Sequence, residues 1–127
     1  MTPPAKQVAV LGSTGSIGKS TLEVIAASDG ALAVAALSAH SKLTLLVEQA
    51  KRFRPRWVVA SDTHRAADHD WSGLPADCQL LVGCQGLEVV VAQRPVDVVV
   101  AAIVGSAGLK STWAALDAGK TEAELQA

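Results

Sequence analysis

The apolar run Val8-Ala9-Val10-Leu11 breaks into Gly12-Ser13-Thr14-Gly15-Ser16-Ile17-Gly18, and a helical apolar period begins at once. A buried strand that turns through a glycine-spaced loop into a helix belongs to few architectures. At the helix start the backbone N–H groups lack intrahelical partners and the dipole is positive, so an anion is held without side-chain charge. Gly12 is expected to permit the tight turn out of the strand. Gly15 is expected to let the backbone approach a pyrophosphate, and Gly18 to let the helix lie close to the sheet. The spacing G-x-x-G-x-x-G is a variant of the dinucleotide fingerprint and points to a phosphorylated nucleotide.

The rest of the chain alternates in the same way. Strands are expected at Gln7–Leu11, Leu32–Ser38, Trp57–Ala60, Gln79–Val82 and Val96–Ile103. Between them, helical stripes are read at Ile17, Thr21, Val24 and Ile25, at Leu43, Leu46, Val47 and Ala50, and at Leu87, Val90 and Val91. Leu109, Trp113 and Leu116 make a fourth stripe, with Gly119 as its stop. Ser61 to Asp77, broken by Gly73 and Pro75, reads as one short helix and a loop. With 127 residues, half of them hydrophobic and 18% charged, the chain suits one globular domain. Its aliphatic core fits a doubly wound parallel α/β sheet, Rossmann-like, with helices on both faces.

Charge and composition exclude other classes. A net charge of −1 without a basic block argues against nucleic acid. No apolar run reaches the roughly 18 residues of a membrane span. The first residues carry no apolar signal segment, which reads as cytoplasmic. Cys78 and Cys84 do not meet a four-ligand zinc pattern, and two buried, reduced thiols are expected. Asp62, His64, Asp68, His69 and Asp70 read as a solvated polar loop.

Two nucleotide readings compete for the loop. Gly18-Lys19-Ser20 ends it as a P-loop would, with Lys19 for β/γ-phosphates and Ser20 for Mg²⁺, but the leading glycine stands one residue too early. The dinucleotide reading also explains the third glycine by packing. Within that reading the second strand exits into Ala39-His40-Ser41-Lys42 and lacks the carboxylate that binds an NAD ribose, which favours NADP over NAD.

Val10–Gly18, Ala36–Lys42, Val47-Glu48-Gln49 and Ala101–Leu109 (A-A-I-V-G-S-A-G-L) together resemble the 1-deoxy-D-xylulose 5-phosphate reductoisomerase family, over Lys6 to Thr121. The resemblance implies NADPH-dependent conversion of 1-deoxy-D-xylulose 5-phosphate to 2-C-methyl-D-erythritol 4-phosphate, in non-mevalonate isoprenoid biosynthesis. It implies a Mg²⁺ or Mn²⁺ ion acting as a Lewis acid, a phosphorylated sugar substrate and a homodimer, all for the complete enzyme. By the same resemblance, Thr14, Gly15, Ser16 and Ile17 line the pyrophosphate and nicotinamide. His40, Ser41 and Lys42 occupy the corner of the adenosine 2′-phosphate, where many members carry Gly-Lys-Asn.

The chain departs from the family pattern at its end. Glu122-Ala123-Glu124-Leu125-Gln126-Ala127 are good helix formers where an apolar sixth strand is expected. The division is therefore an NADPH-binding domain over 1–121 and a non-family tail over 122–127. The sixth strand, catalytic domain and metal site are expected to be missing, as in a truncated or frame-altered copy with no catalytic or metal residues of its own. An unpaired Val96–Ile103 edge then implies marginal stability and self-association. Three alternatives stay open: the cofactor domain of another NADP-linked enzyme, such as a semialdehyde dehydrogenase or dihydrodipicolinate reductase; a non-catalytic dinucleotide-binding module; and the P-loop nucleotide binder.

Overall fold

Four of the five expected strands are apolar and rich in β-branched residues or alanine, and such strands are stable only when both faces are covered. The computed structural model describes residues 5–101 and the backbone of 121–124. Its elements run β1 (Lys6–Leu11), α1 (Ser16–Ala26), β2 (Leu32–Ala39), α2 (Leu43–Phe53), β3 (Trp57–Ala60), α3 (Thr63–Asp68), β4 (Gln79–Val82), α4 (Gln85–Val91), β5 (Val98–Ala101) and β6 (Thr121–Glu124). The strands form one sheet in the order β4-β3-β2-β1-β5-β6, and every pairing is parallel. The expected Ala102–Leu109 segment, the end of the fifth strand and the Leu109, Trp113 and Leu116 stripe lie outside the described residues.

Side-chain alternation divides the core in two. Val8, Val10, Val58, Ala60 and Val100 face Leu22 and Ile25 of α1, Leu43, Leu46 and Ala50 of α2, and Ala66 of α3. Ala9, Leu11, Trp57, Val59 and Val99 face Leu87, Val90 and Val91 of α4. The register slips between Val8, paired with Val34, and Ala9, paired with Ala36. That bulge leaves Ala35 and Ala36 on the same side while Val34 and Leu37 serve the other.

Two expectations need correction. The stripe of α1 is rotated: Gly18, Leu22 and Ile25 are buried, while Val24 is 63% exposed and Ile17 and Thr21 are half-buried. The rotation follows from Gly18. A Cβ there would stand 2.2 Å from the Gly12 carbonyl oxygen and 2.6 Å from Ser13 Cα, so the helix turns its bare position to the loop. The helix therefore lies against the loop backbone, and Leu22 and Ile25 are carried inward with it.

The second correction concerns the sheet, which does not lack a sixth strand. Thr121–Glu124 pairs along β5, from Val98 opposite Thr121 to Ala101 opposite Glu124, across the boundary expected after Thr121. Helix propensity is a weak prior. It yields here to the unpaired N–H and C=O groups of buried Val99, Val100 and Ala101, which a parallel neighbour satisfies. The bare β5 edge behind the expected self-association is thus covered.

Neither cysteine is fully buried. Cys78 is half-buried against the first core cluster, and Cys84 is exposed at the start of α4. Burial, with the charge of Asp77, pushes the Cys78 thiol up to about 11. An alkylating reagent at pH 8 is therefore expected to modify Cys84 first and Cys78 slowly, as peptide mass spectrometry would resolve; faster modification of Cys78 would contradict this packing. Leu46→Ala, at a position without solvent exposure, should lower the unfolding free energy by about 3 kcal/mol. Val24→Ala should change it by less than about 0.5 kcal/mol. Urea denaturation followed by circular dichroism measures both, and equal costs would refute the rotation of α1.

Candidate cofactor-binding site

The sheet order places β1 at a switch point. The chain moves outward from β1 to β4, then returns to lay β5 on the other side of β1. In open parallel sheets the crevice at the carboxyl ends of such strands receives ligands. The loop after β1 opens here, and the exit of β2 lies one strand away.

The loop is held from below by a buried polar clamp. Gly12, at φ +80°, turns the chain out of β1, a backbone conformation that favours glycine. Its N–H donates to Ser38 Oγ at 2.8 Å, and the Ser13 N–H donates to the Ser38 carbonyl at 2.9 Å. Gln49, from α2, grips Ser13 twice: its Nε2 donates to the Ser13 carbonyl at 2.9 Å, and its Oε1 accepts from Ser13 Oγ at 2.7 Å. Ser13 Oγ also lies 3.2 Å from the Ser38 carbonyl, but a hydroxyl has one proton and the shorter contact takes it. Ser13, Ser38 and Gln49 are all buried, and each finds partners within the group.

Above the clamp the loop presents backbone. Thr14 is buried, Gly15 and Ser16 are exposed, and Ile17 is half-buried. Gly15 is the N-cap of α1 in an extended conformation; no side chain caps the helix, and its first turn holds no acidic residue. Nothing among the described residues requires glycine at position 15. Its φ is −77°, and an added Cβ would meet only the Gly12 carbonyl oxygen, at an ordinary 3.7 Å. The loop's open face, with uncapped first-turn amides, has the chemistry to receive a pyrophosphate. Lys19 and Ser20 lie a turn inside α1, behind those amides.

His40, Ser41 and Lys42 come off the neighbouring strand, and all three are exposed. Lys42 is the N-cap of α2, which again has no side-chain cap and no acid in its first turn. His40 Nε2 lies 3.5 Å from Asp62 Oδ2, and its Nδ1 is 3.4 Å from Ser61 Oγ. Asp62 caps α3 through Oδ1, accepting the amides of His64 and Arg65. The Arg65 amide above all holds its carboxyl below the usual carboxylate range; burial opposes it, and the His64 amide and the charges of His40 and Arg65 add to the lowering. An open hollow of about 300 Å³ lies beside this corner, lined by Ser41, Leu43, Thr44, Arg65, Asp68 and His69.

The five polar residues from Asp62 to Asp70 scatter. Asp70 accepts the Ser72 amide, and His69 stands edge-on to Trp71 with ring centres 4.7 Å apart. Among the described residues no three His, Cys, Asp or Glu side chains converge as a metal-binding group. The same residues contain no helix long and apolar enough to cross a membrane.

Switch-point topology, a glycine loop entering α1 and a second open helix start at the next strand define a Rossmann-like α/β domain with a glycine-rich loop at its switch point. A family model described as 1-deoxy-D-xylulose 5-phosphate reductoisomerase matches residues 8–123, and the chain belongs to that family. It is 46% identical over 120 residues to the Gloeobacter violaceus reductoisomerase and 47% over 116 to that of Moorella thermoacetica. Each alignment takes in 91% of this chain but 30% of the relative, so the chain spans about a third of the length of these curated relatives. The Zymomonas mobilis reductoisomerase, solved in complex with NADPH, superposes with a TM-score of 0.84 at 35% identity, covering 96% of this chain and 32% of that one. A reductoisomerase complex with NADPH, fosmidomycin and magnesium superposes with a TM-score of 0.81 at 38% identity, covering 92% and 29%.

The reading from sequence named the loop and the corner but passed over what holds them. Gln49 stood among the residues quoted for the family resemblance, without a role. Its signal was a lone amide between the buried positions Val47 and Ala50, on the face that packs inward. Gln49→Leu would leave the buried Ser13 carbonyl without its Nε2 donor and the hydroxyl with only the longer Ser38 contact, which should cost about 1–3 kcal/mol in thermal or urea unfolding. A cost near zero would show that the clamp does not hold the loop.

Proposed function

We propose that this chain binds NADPH across the carboxyl ends of β1 and β2, as the cofactor-binding part of a 1-deoxy-D-xylulose 5-phosphate reductoisomerase. Two uncapped, acid-free helix starts on adjacent strands carry this reading. α3, by contrast, is capped by its own Asp62, and α4 holds Glu88 in its first turn. Amides at Thr14, Gly15, Ser16 and Ile17 receive the pyrophosphate, and Gly15 keeps the approach free of a side chain. His40, Ser41 and Lys42 face the 2′-phosphate. An ammonium at the start of α2 opposes the helix dipole unless an anion lies between them, which gives Lys42 a reason to be there.

Bound there, NADPH supplies hydride. The chain's own residues bind and orient it: the clamp of Ser13, Ser38 and Gln49 fixes the loop, and Gly18 fixes the helix start against it. Rearrangement of the sugar phosphate, the magnesium or manganese site and homodimerisation belong, in this proposal, to parts of the enzyme outside the matched third. A cytoplasmic setting accords with two free thiols.

Calorimetric titration of the 127-residue chain should show NADPH binding more tightly than NADH, with ATP not competing. Gly15→Ala should leave the melting temperature in place, because the described residues leave room for the Cβ, yet weaken NADPH at least about tenfold by crowding the pyrophosphate. Full affinity in Gly15→Ala, or NADH binding as well as NADPH, would overturn the assignment. The same chain is expected not to convert 1-deoxy-D-xylulose 5-phosphate with NADPH; absorbance loss at the nicotinamide band with that substrate would contradict the proposed division.

A further inference from the structure

The hollow beside the β2 exit joins two elements. Ser41 and Thr44 line it from the start of α2, while Arg65 faces them from α3. Arg65 is tethered: its Nε lies 3.4 Å from Asp62 Oδ2, the same oxygen that His40 Nε2 approaches at 3.5 Å. One carboxylate oxygen thus draws an arginine from α3 and an imidazole from the β2 exit to one point. A guanidinium carries five N–H donors in a planar fork, so a single oxygen on Nε does not exhaust it. Arg65 remains 58% exposed on the rim of the hollow.

The geometry points to Arg65 as a specificity-determining residue for the cofactor, a guanidinium that reaches the adenosine 2′-phosphate from α3 across the hollow from Ser41 and Thr44. This rests on the NADPH reading above and adds to Lys42 a second cation, brought from α3. Asp68 lines the hollow and Asp62 is paired to Arg65 beside it, and both charges oppose a phosphate. Left alone, a carboxylate in such a corner accepts the 2′-hydroxyl of NAD and so selects the wrong cofactor. Arg65 neutralises Asp62 and offers a fork that matches phosphate. It acts in two ways at once: it attracts the 2′-phosphate, and it keeps the Asp62 oxygen from recruiting a bare ribose.

The test measures NADPH and NADH dissociation constants side by side for the full chain and its variants, with 2′,5′-ADP and 5′-AMP as minimal probes. Arg65→Ala should weaken NADPH and 2′,5′-ADP at least about tenfold while leaving NADH and 5′-AMP unchanged or tighter. Arg65→Lys, which keeps the charge but not the fork, should fall between. Asp68→Asn, which removes an opposing charge without touching the α3 cap, should tighten NADPH relative to NADH. Equal losses for both cofactors, or none for either, in a normally melting Arg65→Ala would overturn this inference while leaving the NADPH site standing. A parent chain that binds neither nucleotide would overturn both.

Discussion

The grip of Gln49 on Ser13 is the contact on which the site depends. Ser13 is the point where β1 has ended and the helix has not begun, so its backbone has no ladder of its own to join. Ser38 supplies one set of partners from the end of β2, and Gln49 supplies the other from the middle of α2. Three chain segments are thereby tied at one buried residue. A half-satisfied group of this kind costs more than an apolar one, so the clamp holds as a unit.

From that point the geometry propagates by contact. With the Gly12–Ser13 backbone fixed, α1 can lie against it only where it lacks a side chain, and Gly18 is that place. The rotation of α1 follows, and so do the burial of Leu22 and Ile25 and the outward direction of its first-turn amides. Packing and ligand geometry are therefore the same variable here. A residue that turned α1 by a fraction of a turn would move the amides and the core together.

Much of this was legible in the sequence, for physical reasons. β3 falls where expected, and β1 and β2 within a residue, because buried parallel strands are apolar runs with sharp polar ends; the half-exposed edge strand β4 also falls where expected, as a short apolar run between turn residues. The α2 stripe holds because four apolar positions at helical spacing admit one inward face. The α1 stripe slipped because periodicity identifies a face only when side chains set it. Here the deciding residue is a glycine, which carries no hydropathy. β6 was missed because Glu and Ala favour helix locally, whereas its strand state is set by the open hydrogen-bonding edge of β5, far away in sequence. The loop and the β2 exit were named as candidate site residues from glycine spacing, a missing carboxylate and the family resemblance. Gln49 and Arg65 were not, since their partners come from other elements and only the fold brings them near.

The four helix starts among the described residues divide the electrostatic labour between them. An acid in the first turn stabilises a helix by about 0.3–1 kcal/mol, and a capping side chain by about 1 kcal/mol. α3 takes the cap and α4 takes the acid, while α1 and α2 take neither. The two that forgo this stabilisation open at the carboxyl ends of adjacent parallel strands, toward the same side of the sheet. Stability alone gives no reason for that pattern, since an Asp at position 15 or 42 would strengthen either helix. The unfilled caps are accounted for if a ligand brings the anions. One ligand with two separated phosphates, at pyrophosphate and ribose, satisfies both helices at once.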